Sequence, residues 1–562
     1  MMLKDRIEGL AGGWRGPFLA ATVALIAGLP GALALPPLDR DESRFAQASA
    51  QMLESGDFVS IRFQDTPRNK KPAGVYWLQA AAVKALSHVD SRQIWPYRLP
   101  SLLGAMLAAA ACAWGAAAFL PARAALAAGA ILGMSVLLST EAFIASTDAV
   151  LCGLTTLAMA ALGRIYLAQH AGPPAGRGTR ALFWMALAGS ILIKGPIGPM
   201  VVGLTILALV IWERRAGWLR TLGWGWGLIF LAAAIGPWAM AITVATDGAF
   251  WGSAVGADLA PKLAGGAEGH AGPPGYYLLL APLLLFPATL LLPAGLAAGW
   301  RAAREPAIRF AWCWLVPSWV VFELVPTKLV HYVLPTFGAL AWLMARALIQ
   351  GVGGLTRVLG AVLLIIAALI FAAVGPAAMS QLDDWSALSW AVIAAALFAA
   401  AGVVGVWLLW RAAPGRALAA AGLLSLAAHG VVTAAVAPQL RSLWLSNRAA
   451  RALAAAGWSP RQGAPGPVTV AGYEEPSLVF LLGTGTELGD ADDAAQAIGE
   501  GRPAIVEGRQ DAAFKKALAE AGLVTFTAGE GAGLDYSNNQ HDILRIYTPL
   551  TQPSPSASPR AP

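Results

Sequence analysis

Charge is what this chain has least of. Of its 562 residues only 13% are charged, 39 Lys+Arg against 32 Asp+Glu, while 57% are hydrophobic. A soluble protein carries roughly 25% charged residues, so a soluble globular fold is excluded and a polytopic membrane protein remains. Cysteine is scarcer still. Cys112, Cys152 and Cys313 lie inside apolar segments, at spacings that build neither a zinc cluster nor a disulfide framework. No Lys/Arg-rich run with interleaved aromatics occurs, so the net charge of +7 does not indicate a nucleic-acid partner. Walker, Rossmann, HExxH and nucleophile-elbow patterns are missing in their required contexts, which argues against nucleotide-dependent chemistry. No internal repeat is evident, against an inverted-repeat transporter. The apolar run after Lys4, Arg6 and Arg15 lacks a small-residue cleavage site and reads as a retained first span.

What is present is a series of apolar segments. About thirteen are long enough to span, or nearly so: 17–35, 98–119, 123–139, 148–168, 180–194, 197–212, 222–245, 276–299, 308–325, 329–348, 354–375, 386–410 and 416–438. Their connections alternate. One set is rich in arginine (Arg164, Arg177 and Arg180; Arg214, Arg215 and Arg220; Arg301, Arg304 and Arg309) and poor in acids, which makes it cytoplasmic. The other set holds the polar stretch from Asp39 to Lys71, then Glu141 and Asp148, Lys194-Gly195-Pro196, the long loop 246–275, and Lys328 to Tyr332. Every motif-like polar cluster therefore falls on the far face.

The first far-side loop, 36–97, is not plain linker. Asp39 followed by Glu42 fits a helix capping box. Phe45, Ala48, Ser49 and Met52 recur at helical spacing, and Gly56 is a stop signal. A second interfacial helix, about 73–88, carries Tyr76 and Trp77. After about Pro460 short strands (467–471, 504–506, 524–527, 542–547) alternate with helical segments (490–498, 511–521), which implies a small α/β domain. The expected organisation is a polytopic α-helical membrane unit over 1–445, an α/β domain over 460–550, and a Pro/Ser-rich disordered tail over 551–562.

Several polar residues are candidates for chemistry. Asp41 and Glu42 are adjacent carboxylates, of which one suits a general base or metal ligand and the other a structural role. A cap needs only Asp39 and Glu42, which leaves Asp41 free. Lys70 and Lys71, with Arg40, Arg44, Arg62 and Lys194, suit a phosphate or pyrophosphate headgroup; ordinary contacts with anionic lipids are the alternative. Lys194 between apolar runs and Lys328-x-x-His331-Tyr332 beside a span are harder to explain as surface charge. Asp148 follows Ser146-Thr147 and either caps its helix or faces a substrate. His270 lies in a Gly/Pro-rich loop, where a solvated histidine is the simpler reading.

Asp41-Glu42-x-Arg44-Phe45-Ala46, Met52-Leu53-x-Ser55-Gly56-Asp57 and Lys71-Pro72-Ala73-Gly74-x-Tyr76-Trp77, followed by Lys194-Gly195-Pro196 and Lys328-Leu329-x-His331-Tyr332-x-Leu334-Pro335, resemble the bacterial lipid A aminoarabinose transferases. These are GT-C glycosyltransferases related to protein O-mannosyltransferases. The resemblance implies transfer of a sugar from undecaprenyl phosphate, at the periplasmic face of the inner membrane, to lipid A or another glycan. It implies Asp41 as the catalytic carboxylate, and Arg44, Lys70, Lys71, Lys194 and Lys328 as contacts to the donor phosphate. Glu42, Arg62, Tyr76, Asp148, His331 and Tyr332 would line the substrate. His270 matches a histidine that, with a glutamate, can hold a divalent metal, but the family's Glu-Lys-Pro is Lys70-Lys71-Pro72 here. The cation makes that metal doubtful and points to a different donor sugar or acceptor. The expected partners are a polyprenyl phosphate-linked sugar, a lipid or glycan acceptor and membrane lipids, with the chain acting as a monomer. Competing readings are a flippase of lipid-linked sugars, an oligosaccharide-lipid ligase and a protein O-glycosyltransferase.

Overall fold

The computed structural model describes residue 9 and residues 11–170, 172–265 and 271–550. Among these, nine helices are long and apolar enough to cross a membrane, from Arg15–Ala34 to the segment Pro414–Gln439. The count becomes ten if the pair Tyr276–Leu284 and Ala288–Arg301, bent by 113°, is taken as one broken span. The expected count of thirteen is not reached by this criterion. Three of the expected spans are helices of another kind: Ala122–Gly133 and Ile197–Glu213 are shorter, and Arg177–Lys194 carries Arg177, Arg180 and Lys194.

Small residues let the helices approach. Trp95–Ala116 crosses Asp148–Ala168 at Gly104 and Gly153, where a Cβ on Gly153 would strike the Gly104 carbonyl. Close backbone approach of this kind replaces the hydrophobic drive that lipid does not supply. The crossing fixes Asp148, the first residue of its helix, against the end of the bundle that carries the first loop. Cys112, Cys152 and Cys313 are buried and free.

The first loop folds onto that end. Its helix Asp41–Ser55 buries Phe45, Ala46, Ala48, Ser49, Ala50 and Met52, and closes on Gly56 at φ 73°, whose N–H bonds to the Met52 carbonyl. That left-handed stop is the one the sequence indicated. The hairpin β1 (Arg62–Phe63) and β2 (Thr66–Pro67) follows, then the helix Gly74–Leu86. A Cβ on Gly74 would run into the Leu192 carbonyl, so glycine lets this helix abut the end of Arg177–Lys194. The capping box is not formed as expected. Arg40, not Asp39, precedes the first helical residue, and no side chain caps it.

The C-terminal part is a five-stranded sheet of β3 (Thr469–Ala471), β4 (Glu487–Gly489), β5 (Ala504–Glu507), β6 (Thr525–Asp535) and β7 (Gln540–Pro549), in the order β4-β3-β5-β7-β6. β3 pairs in parallel with β4 and β5, and β7 pairs antiparallel with β5 and β6. The parallel pairs are joined through the helices Pro476–Leu482 and Ala491–Gly499, the latter held by a full capping box from Asp490 and Asp493. The strand β4 was not expected from sequence, and β6 runs past the expected residue 527.

Candidate functional site

Asp41 opens its helix, with 70% of its side chain exposed and two guanidiniums beside it, Arg44 at 3.9 Å and Arg68 at 3.6 Å. Arg68 is the more buried, 10% exposed. The β1–β2 hairpin places it, since its N–H bonds to the Ile61 carbonyl at 2.7 Å. Its guanidinium lies 5.0 Å from the centre of the Phe45 ring and donates to the Tyr76 hydroxyl at 3.3 Å. Burial disfavours the Arg68 charge, but Tyr76 and Asp41 raise its pKa above the ordinary arginine value. Asp41 therefore has a permanently cationic neighbour while remaining open to a ligand.

Lys71 is the next member. Its ammonium bonds to Asp258 at 2.7 Å, and Lys262 holds the other oxygen of that carboxylate at 2.7 Å. Asp258 comes from the long second far-side loop, in a turn with π-helical hydrogen bonding, Gly252–Leu259. Burial, then the charge of Lys194, lowers the Lys71 pKa against the pull of Asp258. Burial works against the Asp258 charge, yet Lys71 and Lys262 keep its carboxyl below the usual range. Lys70 has an exposed side chain beside this pair.

Lys194 joins Lys71 to a third group. It ends its helix at Gly195, whose φ of 60° with ψ of −121° suits glycine, and Pro196 starts the next turn. The ammonium so presented bonds to Asp148 at 2.5 Å and lies 5.5 Å from the Tyr332 ring centre. His331 bridges two carboxylates, with Nδ1 3.3 Å from Glu141 and Nε2 3.7 Å from Asp148. The contacts form three groups, Asp41 with Arg44, Arg68 and Tyr76, Asp258 with Lys71 and Lys262, and Asp148 with Lys194, His331 and Glu141, and the groups act on one another through charge: Lys194 on Lys71 and Asp258 on Tyr76. Such a set can grip an anionic headgroup and offer one open carboxylate to whatever that headgroup carries.

Three expected site residues lie elsewhere. Glu42 is 2% exposed. It takes a two-pronged bond from Arg98 at 2.9 and 2.7 Å, and its oxygens also accept the N–H groups of Leu38 at 2.8 Å and Ala145 at 2.7 Å. Every lone pair facing the protein is used, so Glu42 locks the loop to the bundle and does not line a substrate. Arg62 is exposed and acts on Asp57, away from these groups. Lys328 donates to the carbonyls of Phe322 at 3.0 Å and Glu323 at 2.5 Å, the last turn of the helix Pro306–Leu324. A cation there satisfies orphan carbonyls and the helix dipole. His270 lies outside the described residues. Sequence reasoning missed Arg68, Asp258 and Arg98. The run Pro67-Arg68-Asn69-Lys70-Lys71 held a signal for the first, as a third cation beside the two lysines.

Among the described residues one group offers three metal ligands, Glu141, Asp148 and His331, whose donor atoms lie within 4.8 Å of one another. They do not fit a divalent ion well. The Lys194 ammonium already sits on Asp148, and a second charge would have to displace it.

No protein-family model matches the chain. It is 30% identical over 320 residues to the undecaprenyl phosphate-alpha-4-amino-4-deoxy-L-arabinose arabinosyl transferase of Pseudomonas aeruginosa. It is 29% identical over 319 residues to the protein of that name from Pseudomonas paraeruginosa. Each match covers 55% of this chain and 55% of the relative, so the likeness spans about half the length of these curated relatives. The crystal structure of ArnT from Cupriavidus metallidurans in the apo state superposes with a TM-score of 0.73 at 20% identity, covering 94% of this chain and 97% of that one. The same protein bound to undecaprenyl phosphate gives 0.72 with the same coverage and identity. The chain resembles the aminoarabinose transferases in sequence over that half and shares the ArnT fold over nearly its whole length.

Proposed function

We propose that the chain is an integral-membrane glycosyltransferase. It moves a sugar from a polyprenyl phosphate, undecaprenyl phosphate in its relatives, to lipid A or another acceptor at the periplasmic face of the inner membrane, working as a monomer. The observation that carries this reading is the open Asp41 carboxylate, held beside Arg44 and Arg68. The orientation rests on the arginine loops, which the positive-inside bias assigns to the cytoplasm. The placement of the charges also supports an enzyme over a flippase. Asp148 begins its helix and Lys194 ends its own, so both stand at the rim of the bundle and not at its middle.

The reaction is a displacement at the anomeric carbon. The bond from that carbon to the donor phosphate oxygen breaks, and polyprenyl phosphate leaves with the electron pair. The acceptor oxygen forms the new bond. If the acceptor is a hydroxyl, its proton passes to Asp41; if it is a phosphate, no base is needed and Asp41 orients the sugar. Lys70, Lys71 and Arg44 meet the charge that grows on the leaving phosphate. Asp258 accepts from Lys71, and a donor phosphate competes with that carboxylate for the ammonium. No step is routed through a metal ion. Lys70 in place of the family's glutamate favours a donor sugar or acceptor other than aminoarabinose on lipid A.

The test is mass spectrometry of lipid and glycan fractions from cells carrying the wild type or Asp41→Asn. A transferase leaves unmodified acceptor in the variant and an intact donor pool on the periplasmic side. Accumulation of the lipid-sugar on the cytoplasmic side only would mark a transport defect and refute the reading.

A further inference from the structure

The turn that leads into Asp41 is strained. Arg40 has φ 58° and ψ −117°, in a region of backbone space that side-chain-bearing residues rarely enter. Such a conformation persists only where its surroundings impose it. Within the first loop, Glu42 accepts the Leu38 N–H and Ser43 donates to the Leu38 carbonyl. The remaining restraints come from the C-terminal domain, more than four hundred residues away in sequence. The Tyr536 hydroxyl accepts the Asp39 N–H at 2.6 Å, and the Ser477 hydroxyl bonds to the Asp39 carboxylate. Ser477 is in turn 2.6 Å from Ser446, which meets the Tyr473 hydroxyl at 2.9 Å, so the grip is anchored in the core of the domain.

The same domain also holds the far end of the loop. Gln64 donates to the carbonyls of Thr484 and Thr486 at 3.2 and 2.5 Å, and Phe480 packs edge-on against Tyr97 at 5.3 Å. The domain is therefore seated by contacts other than those at Asp39, and the two hydroxyls at Asp39 can be changed without undocking it.

We propose that the C-terminal domain is a clamp on the active-site turn, with Tyr536 and Ser477 as positioning residues that hold the strained Asp39–Arg40 peptide and so aim Asp41. The inference rests on the transferase reading for its kinetic consequence, but the conformation of the turn can be read without any reaction. Burial, with Glu475 and Asp535 nearby, pushes the Asp39 carboxyl up to about 7, against the bonds from Ser477 and Tyr536.

The test uses the full chain in lipid nanodiscs. Tyr536→Phe keeps the ring and removes the hydroxyl; Ser477→Ala removes the other contact and Ser477→Thr keeps it. The expected result is a fall in kcat of roughly tenfold for Tyr536→Phe, the loss of about one buried hydrogen bond, with the donor KM unchanged and activity retained in Ser477→Thr. Hydrogen exchange of residues 36–44 should speed up in Tyr536→Phe while the rest of the chain keeps its protection. In an Arg40→Gly background, where the turn carries no strain, the same Tyr536→Phe change should cost less. Unaltered exchange at 36–44 in both Tyr536→Phe and Ser477→Ala would overturn the clamp, even if the wild type transfers no sugar. Faster exchange there with no transfer by the wild type would keep the clamp and refute the transferase reading instead.

Discussion

The two ends of the bundle both carry a cluster of charges, and they are built on different plans. At the arginine-loop end, Glu213 is nearly buried and is surrounded by Arg309, the Tyr166 hydroxyl and His170, the last at 3.3 Å. One acid gathers three partners inside the protein, all on Oε1, and only 8% of its side chain is exposed. At the other end, four carboxylates, an imidazole, two guanidiniums and the ammoniums of Lys71, Lys194 and Lys262 stand in three groups, and one of the carboxylates, Asp41, is mostly exposed. The helix Asp148–Ala168 joins the ends. Asp148 and Tyr166 lie eighteen residues apart on it, roughly 27 Å at about 1.5 Å per residue, close to the ~30 Å of a hydrocarbon core. The clusters therefore sit at opposite membrane surfaces. A saturated cluster fastens helices together, and an open one is left to bind.

That contrast can be broken in several ways. The largest effect is expected at the saturated end. Glu213→Ala leaves Arg309 partly buried and unpaired, and should cost about 3–5 kcal/mol of stability, read as a lower thermal midpoint in detergent, with turnover per folded molecule unchanged. At the open end Lys71→Ala should do the reverse. Transfer falls by about 10²–10³, the scale seen for one donor to a developing oxyanion, while the midpoint hardly moves. Asp258→Asn is a smaller probe. It weakens the anion that competes for Lys71, so the donor KM should drop a fewfold, checked by initial rates against donor concentration.

Asp39 supplies a pH test with a definite sign. Its carboxyl is raised to about 7 in the docked state, so the folded protein holds a proton there that the unfolded chain has released. The stability this group contributes is greatest at low pH, falls as pH rises from the ordinary carboxylate range to about 7, and is level above that. Asp39→Asn should remove this part of the pH dependence in a series of thermal melts between pH 5 and 8. The smallest effect is expected from Lys70→Glu, which puts a carboxylate in place of the ammonium. Bound zinc or manganese, measured by elemental analysis, should rise only in that variant; equal metal content in wild type and variant would contradict the reading of Lys70 as the residue that disfavours the metal.

Much of this contrast was legible in the sequence because it rests on local signals. Arginine loops, apolar run lengths, the Gly56 stop and the Lys-Gly-Pro break each depend on a few neighbouring residues. What escaped depends on partners far away in the chain. Glu42 looked like half of a capping box, yet its guanidinium partner, Arg98, lies within an apolar span 56 residues later. Lys328 matched a motif, but its ammonium is held by carbonyls at the end of the preceding helix, and their position follows from where that helix stops. Arg68 and Asp258 meet their partners only through a two-stranded hairpin and a long loop, neither of which has a strong periodic pattern. Three-residue β4 is too short to show any alternation.

The most direct measurement compares Asp41→Asn with the wild type, both purified and reconstituted with a radiolabelled polyprenyl phosphate sugar and lipid A. An open, working carboxylate predicts transfer reduced to background in the variant, with the same thermal midpoint and the same donor binding as the wild type. Transfer retained at the wild-type rate would contradict the central role of Asp41 and, with it, the distinction between an open and a saturated end.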